Sequence, residues 1–538
     1  MRALDWVALI GSLIGVVVYG LWRSRGSNTT DRYLLAGKSM PWYAMALSIM
    51  ATQASAITFI STTGQAYVDG MRFVQFYFGL PIAMIIIAAF AVPRFHSSGV
   101  YTAYEYLERR FDARTRGLVS LVFLISRGIS VGVSLYAPSV VLTAILGWSD
   151  HWTTLLMGSL VVAYTVTGGI AAVTWSDFLQ MLIMTVGLFA AFGTAVYMLP
   201  EGVSFRHALD VAGAAGRLNP AVWHFDFNDQ YNVWSGLLGG MFLMLAYFGC
   251  DQSQVQRYLT GKSVTESKLS LLFNAVAKIP MQFFILFIGA MVFVFHTYEK
   301  PPVLFKQDEM AKLQQQAGFS AVQQKFDAAW EARRAAAASV PDRIPEFKQA
   351  QQDMEAARDE AKKMAGNTND TNFIFLSFVT RYMPAGIVGI IMAAIFAAAM
   401  STISGEINSL ATVTVIDHYK RFFRKEATDR HYLRAAKLAT AFWGAYAIIT
   451  AQFGGKMGSL IEAVNKLGSL FYGGLLGVFA LAFFFPQATG AGAFYGVIIG
   501  EAVVFAVRYF TDIAFLWSPL IGAVTVIASG MAISRFTR

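Results

Sequence analysis

About thirteen apolar runs, each near the ~20 residues that cross a bilayer as a helix, divide this 538-residue chain. They are 5–22, 41–64, 72–93, 117–146, 152–168, 175–199, 233–252, 269–297, 373–416, 434–453, 458–485, 490–510 and 516–534. Few folds are open to such a chain. Lipid offers no partner to a free N–H or C=O, so each run has to satisfy its backbone internally, as a helix. Composition agrees: 56% of residues are hydrophobic and 14% charged, with mean hydropathy +0.50. Soluble domains carry roughly 25% charged residues. The expected class is an all-α, polytopic helical membrane protein with about 13 transmembrane helices. Met1 to Trp22 has little basic n-region and no clear small-residue cleavage site, so it reads as a retained span. Run 373–416 is too long for one straight span and is expected to begin with a short surface helix.

The net charge of +9 could point to nucleic acid, but its distribution argues against that partner. The basic residues gather in loops 23–40, 94–116, 253–268 and 417–433, which is every second loop. Such loops stay cytoplasmic, which places the N-terminus outside and the C-terminus inside an inner (plasma) membrane. Residues 299–371 differ in kind. They are charged and rich in Ala, Glu, Gln and Lys, which favour helix. Pro341 and Pro345 should split them into two helices, expected as a solvated extracellular hairpin; the competing reading is a lid or partner-docking element. A lone cysteine, Cys250, excludes a disulfide framework. There is no HExxH, GxSxG or GxxxxGK[ST] motif, and the seven histidines lack ligand spacing, so the chain does not read as an enzyme. No obligate protein partner is predicted.

Polar groups inside spans carry the functional information, because each must face protein, a cavity or an ion. The stretch 393–419, AAIFAAAMSTISGEINSLATVTVIDHY, holds Ser401, Thr402, Ser404, Glu406, Asn408 and Ser409. Ala398, Ser401 and Thr402 stand at i, i+3 and i+4, on one helix face. Hydroxyls there are hard-oxygen donors suited to an alkali cation; the alternative is that small residues let two helices approach. The stretch 48–64, SIMATQASAITFISTTG, is too hydroxyl-rich for a lipid-facing helix, and a break in it would free carbonyls for a cation. Asp177 opens the 175–199 run, where it serves as an N-cap or as a functional carboxylate. Arg127, Asp251 and Lys278 also lie at membrane depth; they face a site or neutralise one another, for instance Asp251 with Lys278 or Arg127.

With these residues in view, the chain resembles the sodium/solute symporter family. The resemblance rests on DQSQVQRYLTGKS at 251–263, with GGIAAVTWSDFLQ at 168–180, SLYAPSVVL at 134–142 and the 393–419 stretch. It spans the chain outside 299–371. It implies a LeuT-type fold of two five-helix inverted repeats, with the binding sites where helices break near the membrane centre. The implied division is residues 1–40 (an extra N-terminal transmembrane helix and cytoplasmic loop), 41–199 (repeat one), 200–232 (an extracellular loop), 233–453 (repeat two with the insertion) and 454–538 (three C-terminal helices). The resemblance implies a sodium site built from the carbonyls of Ala51, Ala54 and Ala398 and the hydroxyls of Ser401 and Thr402. A second sodium site is implied in part: Asp177 and Ser404 match it, but Gly405 stands where a further hydroxyl is expected. The implied substrate pocket comprises Ser55, Thr58, Phe73, Tyr77, Asp251, Ser253, Lys278 and Asn465.

The expectation is thus a sodium-coupled secondary active symporter. Its partners are sodium, a small organic solute and membrane lipid. Sugar-carrying members of the family have an asparagine at position 251 and a tyrosine at 253, and sialic-acid carriers have an arginine at 130. Here Arg127 lies one turn before Ser130 on the same face, where a guanidinium could grip a carboxylate. Asp251 is the one nearby acid the sequence identifies, so Arg127 and Lys278 together should leave excess positive charge. The expected solute is therefore anionic or zwitterionic and carries a carboxylate. A sodium/sugar symporter is the alternative, and a non-transporting membrane sensor is the alternative from another class. A channel would be separated from both by non-saturating flux.

Overall fold

The computed structural model describes residues 1–146, 149–453 and 460–537; the start of run 458–485 lies outside them. We number the principal helices in chain order. They are α1 (Ala3–Arg23), α2 (Trp42–Gln53), α3 (Ala113–Leu146), α4 (Asp150–Tyr197), α5 (Gly240–Gly249), α6 (Gln252–Leu259) and α7 (Val264–Tyr298). They continue with α8 (Phe319–Ala337), α9 (Ile344–Met364), α10 (Ile387–Val413), α11 (Asp429–Ala451), α12 (Leu460–Phe484), α13 (Gly490–Phe510) and α14 (Ser518–Phe536). Among the described residues, nine helices are long and apolar enough to cross a membrane. The other expected runs fall on broken or short helices such as α2 and α5, or on α11, whose first turns carry Arg430, Arg434 and Lys437.

Helix α4 holds two of the expected spans. At about 1.5 Å per residue its 48 residues would reach ~72 Å, twice a bilayer core. It turns at Gly169 (φ 60°, ψ −161°), where a Cβ would come 2.5 Å from the Tyr33 carbonyl oxygen, so only glycine fits. The second half of α4 therefore starts directly after Gly169. Asp177 sits two turns inside it and is no N-cap, which corrects that reading. Run 373–416 begins with a separate short helix, Thr371–Tyr382, before α10, but that helix is largely buried and is no surface helix, which corrects that part of the reading.

α10 is the centre of the molecule: 89% of its most apolar window is buried, against 22% for the peripheral α1. The N-terminus of α10 is capped from far along the chain. Asp5 Oδ1 accepts from the amides of Gly386 (2.6 Å) and Gly389 (3.1 Å), satisfying donors that a helix start leaves free.

The four basic loops meet one another, as their alternation requires. Arg421 pairs with Glu108 (2.6 Å), and Arg116 Nε with Asp417 (2.7 Å). The Thr30 amide donates to the Asp429 carboxylate (3.2 Å), and the Met40 amide to the Thr260 carbonyl (3.1 Å). The insertion forms the expected two helices, α8 and α9, preceded by a short helix at Gln307–Leu313. It is more than a solvated hairpin. Val303, Leu313, Phe326, Trp330 and Met354 give it a small core of its own. Arg333 is fully buried and donates to the His296 carbonyl at the end of α7 (2.5 Å) and to Gln351 Oε1 (2.7 Å). Burial pushes its guanidinium down to about 10, so it stays charged at neutral pH and needs those acceptors. Arg358 grips both oxygens of Asp370 at 2.8–2.9 Å.

The Arg358–Asp370 pair yields a test of how firmly the insertion is held. Asp370→Ala leaves a buried guanidinium unmatched, a change that costs about 3–5 kcal/mol. A clearly lower Tm is expected for the purified protein, with most of the loss recovered in the Arg358→Met/Asp370→Ala double variant. A single variant as stable as wild type would show that the pair does not hold the insertion.

Candidate functional site

Two helix breaks build the site. α2 ends at Gln53, and Ala54 leaves helical geometry (φ −89°, ψ 63°) before the chain resumes as a π-helical turn at Thr58–Thr62. A helix end leaves its last carbonyls without amide partners. Thr58 Oγ1 donates to the Gln53 carbonyl (3.3 Å). Thr402 Oγ1, from α10, donates to the Thr52 carbonyl (3.0 Å) as well as to Ala398 in its own helix (3.2 Å). Thr402 thus ties the broken end of α2, which holds Ala51 and Ala54, to the face of α10 that holds Ala398. Ser401 Oγ is fully buried beside the Asp177 carboxyl, and neither it nor Asp177 Oδ1 has a hydrogen-bond partner among the described residues. Unpartnered hard oxygens next to a broken helix end are chemically suited to a sodium ion. Ser404 Oγ donates to the Ser401 carbonyl (3.2 Å).

A side-chain cation stands beside Asp177, one of the residues implied for a second ion. Arg257, on α6, is fully buried and reaches Asp177 Oδ2 with Nη2 (3.3 Å) and Ser48 Oγ with Nε (3.0 Å). Ser48 donates in turn to Asp177 Oδ2 (2.6 Å). Gly405 makes room for this guanidinium: a Cβ there would lie 2.1 Å from Arg257 Nη2. The missing hydroxyl at position 405 and the resident cation are one feature.

The second break, at Cys250–Asp251 between α5 and α6, directs a carboxylate towards Arg127. Asp251 caps α6 by accepting from the Ser253 amide (2.8 Å) and pairs with Arg127. Arg127 also donates to Glu406 Oε1 (2.8 Å) and to the Tyr472 hydroxyl (2.8 Å). A cavity of about 80 Å³ lies against this network. Of the residues predicted to bind substrate, Ser55, Thr58, Tyr77, Arg127 and Asn465 line it, together with Thr402 from the ion site. Four others do not. Phe73 stacks behind Phe76 (centroids 5.4 Å, planes 7° apart), because residues 70–77 form a 3₁₀ helix in which i and i+3 eclipse; Phe76 takes the wall position. Asp251 pairs with Arg127 from outside the cavity lining, and Ser253 Oγ is buried with no hydrogen-bond partner among the described residues. Lys278 neither lines the cavity nor pairs with Asp251. Its Nζ stands 5.3 Å from the centre of the Tyr77 ring, with no hydrogen-bond partner among the described residues.

The sequence reading assigns none of Glu406, Gln53, Tyr247 and Tyr472 to the pocket, yet all four line the cavity. Glu406 carried a readable signal, an acid at membrane depth one turn after Thr402. Its presence changes the charge count: Asp251 is not the only acid, and Arg127 faces two acids while Lys278 stands apart behind Tyr77. The expectation of excess positive charge does not hold.

The chain is similar to the sodium/sialic acid symporter SiaT of Proteus mirabilis, with 28% identity covering 98% of this chain and 94% of that one. It is similar to the sodium/glucose cotransporter of Vibrio parahaemolyticus, with 28% identity covering 91% and 81%. It is similar also to the human sodium-coupled monocarboxylate transporter 1, with 27% identity covering 93% and 72%. A solved structure of a sodium-coupled sialic acid symporter, in a substrate-bound outward-open state, superposes with a TM-score of 0.79 at 26% identity, covering 99% of this chain and 98% of the other. The fold is accordingly of the LeuT type, and the chain is a transporter and not an enzyme. The model of one family matches residues 33–311 and 352–500, the greater part of the chain, which therefore belongs to the Sodium:solute symporter family and is a sodium-coupled solute symporter.

Proposed function

We propose that this symporter imports a small carboxylate-bearing solute, anionic or zwitterionic, together with one sodium ion. The observation that carries this is Thr402. It lines the solute cavity and, through the Thr52 carbonyl, holds the broken end of α2 against α10. An ion held by Ala51, Ala54, Ala398, Ser401 and Thr402 would fix the same junction that shapes the cavity wall, so ion and solute would raise each other's affinity. Asp177 supports this ion through the Ser401 side. Arg127 in the cavity wall favours a carboxylate over a sugar, since a planar guanidinium offers paired donors to it. With basic loops inside the cell, the ion enters down its gradient; one charge crossing 100 mV contributes about 2.3 kcal/mol before the concentration term is added.

Two predictions follow from this assignment. Ser401→Ala and Thr402→Ala should each raise the sodium concentration for half-maximal uptake, by tenfold or more, because each removes an oxygen from the ion's shell. Wild-type sodium dependence in both variants would reject the site.

The second concerns stoichiometry. Arg257 already supplies the positive charge beside Asp177, so sodium activation of uptake should follow a Hill coefficient near one. Gly405→Ala should abolish uptake or destabilise the fold, since the new Cβ collides with the guanidinium. A reversal-potential measurement giving two sodium ions per solute would overturn the single-ion reading.

A further inference from the structure

Four unpartnered polar atoms belong to residues of the cavity wall. Two are acceptors, Glu406 Oε2 and Gln53 Oε1, and two are donors, Arg127 Nε and Asn465 Nδ2. None has a hydrogen-bond partner among the described residues, and Glu406 is 2% exposed and Arg127 4%. Ser134 stands beside the Glu406 carboxylate without closing a hydrogen bond to Oε2. Buried polar atoms are costly unless matched, so an unmatched set of this kind is complementary to a missing ligand. Here that ligand has to bring donors to one side and acceptors to the other.

The charges narrow it further. Arg127 and Glu406 are the charged residues that line the cavity, and they are paired to each other at 2.8 Å. Asp251 holds Arg127 from its other flank. Lys278, the remaining base, lies behind the Tyr77 ring. A simple monocarboxylate arriving at Arg127 would be a third acid around one guanidinium and would face Glu406 without compensation. A solute that also carries an ammonium group supplies that compensation itself.

We infer that the cargo is a zwitterion, a small amino carboxylate, and that Glu406 with Gln53 receives its ammonium group while Arg127 with Asn465 receives its carboxylate. This rests on the symport reading above and narrows its substrate class. The internal Arg127–Glu406 ion pair is a placeholder for the solute's two charges: each partner exchanges the other for the matching end of the solute, and the net charge of the site does not change. Glu406 is then a specificity-determining residue, separating amino carboxylates from plain carboxylates and sugars.

The test uses the purified full-length protein in 150 mM sodium or choline chloride, with thermal stabilisation as the readout. The probes are the common amino acids, β-alanine and 4-aminobutyrate, against propionate, butyrate, lactate, propylamine and glucose. Stabilisation by sodium alone reports on the symport reading. If sodium has no effect, that reading fails, whatever the solutes do. Given a sodium effect, at least one zwitterion should stabilise further, with an apparent affinity at least tenfold above that of its deaminated and decarboxylated analogues. Glu406→Gln should lose tenfold or more in affinity for that zwitterion while sodium still stabilises it, which shows the variant is folded. Gln53→Leu should move in the same direction by a smaller factor, and Glu406→Asp should recover part of the loss. Stabilisation by propionate, butyrate, lactate or glucose equal to that by any zwitterion overturns the proposal. So does silence from every amino carboxylate, or a Glu406→Gln variant that binds the zwitterion as wild type does.

Discussion

A guanidinium buried at membrane depth has to be met by acids, and this chain solves that problem twice. Placing an arginine at the centre of a lipid-embedded helix costs about 2.5–3.5 kcal/mol on insertion scales. Arg127 is met by Asp251 and Glu406, and Arg257 by Asp177 and Ser48. Each cluster joins helices that no local rule would bring together. Arg127 and Glu406 are 279 residues apart in sequence, and Arg257 and Asp177 are 80 apart. Removing one partner from such a cluster strands a charge, so the helix positions are mutually enforced. The breaks in α2 and between α5 and α6 are tolerable for the same reason. Their freed carbonyls are met by side chains: those of Thr52 and Gln53 by Thr402 and Thr58, and that of Cys250 by the Tyr104 hydroxyl.

The two clusters are neighbours. α10 presents Thr402 to the cavity, Ser401 to Asp177, and Glu406 to Arg127, all within about a turn and a half of helix. The ion side and the solute side are therefore two faces of one rigid element. Thr402 adds the third party by bonding the broken end of α2. A shift of that broken end would disturb both sites at once. This is a physical basis for coupling that needs no relay between distant residues, since both ligands would bias the same junction.

Hydropathy made the spans legible, because a lipid-buried helix leaves little freedom in composition. The basic loops were legible for a similar reason, and the structure gathers them as their alternation demands. Cavity residues on helical faces were partly legible: Ser55, Thr58, Tyr77 and Asn465 lie where the family pattern implied. The failures have local causes. Of the two alternatives open for Asp177, the cap fails because the sharp turn at Gly169 needs no loop, so nothing in the sequence marks where the helix restarts. Phe73 is implied as a wall residue by the family resemblance alone, and the 3₁₀ backbone of this chain sets Phe76 in its place. Lys278 was paired with Asp251 on charge alone, whereas the packing of α7 sets it behind Tyr77. Glu406 was visible in the sequence, but its partner was not, since sequence separation hides a contact between α3 and α10.

Position 405 shows how one residue can decide what a shared fold carries. A hydroxyl there would require Arg257 to withdraw, because its atoms would occupy the guanidinium's volume. Asp177 would then lose its charged partner and its carboxylate would be left buried. Burial of an unpaired carboxylate is strongly unfavourable, so it would have to bind a proton or a cation from solution. With glycine the protein carries its own cation, fixed to α6, and the demand disappears. Since α6 is the continuation of the second broken helix, that fixed charge also pins the break at Asp251 to the second half of α4. A mobile ion at this place would make the junction conditional on ion occupancy; a side chain makes it permanent. On the proposed single-ion reading, the glycine replaces a second coupled ion with a standing internal ion pair. On that reading the proposed site at Ser401 and Thr402 is the junction through which sodium would act on the solute cavity.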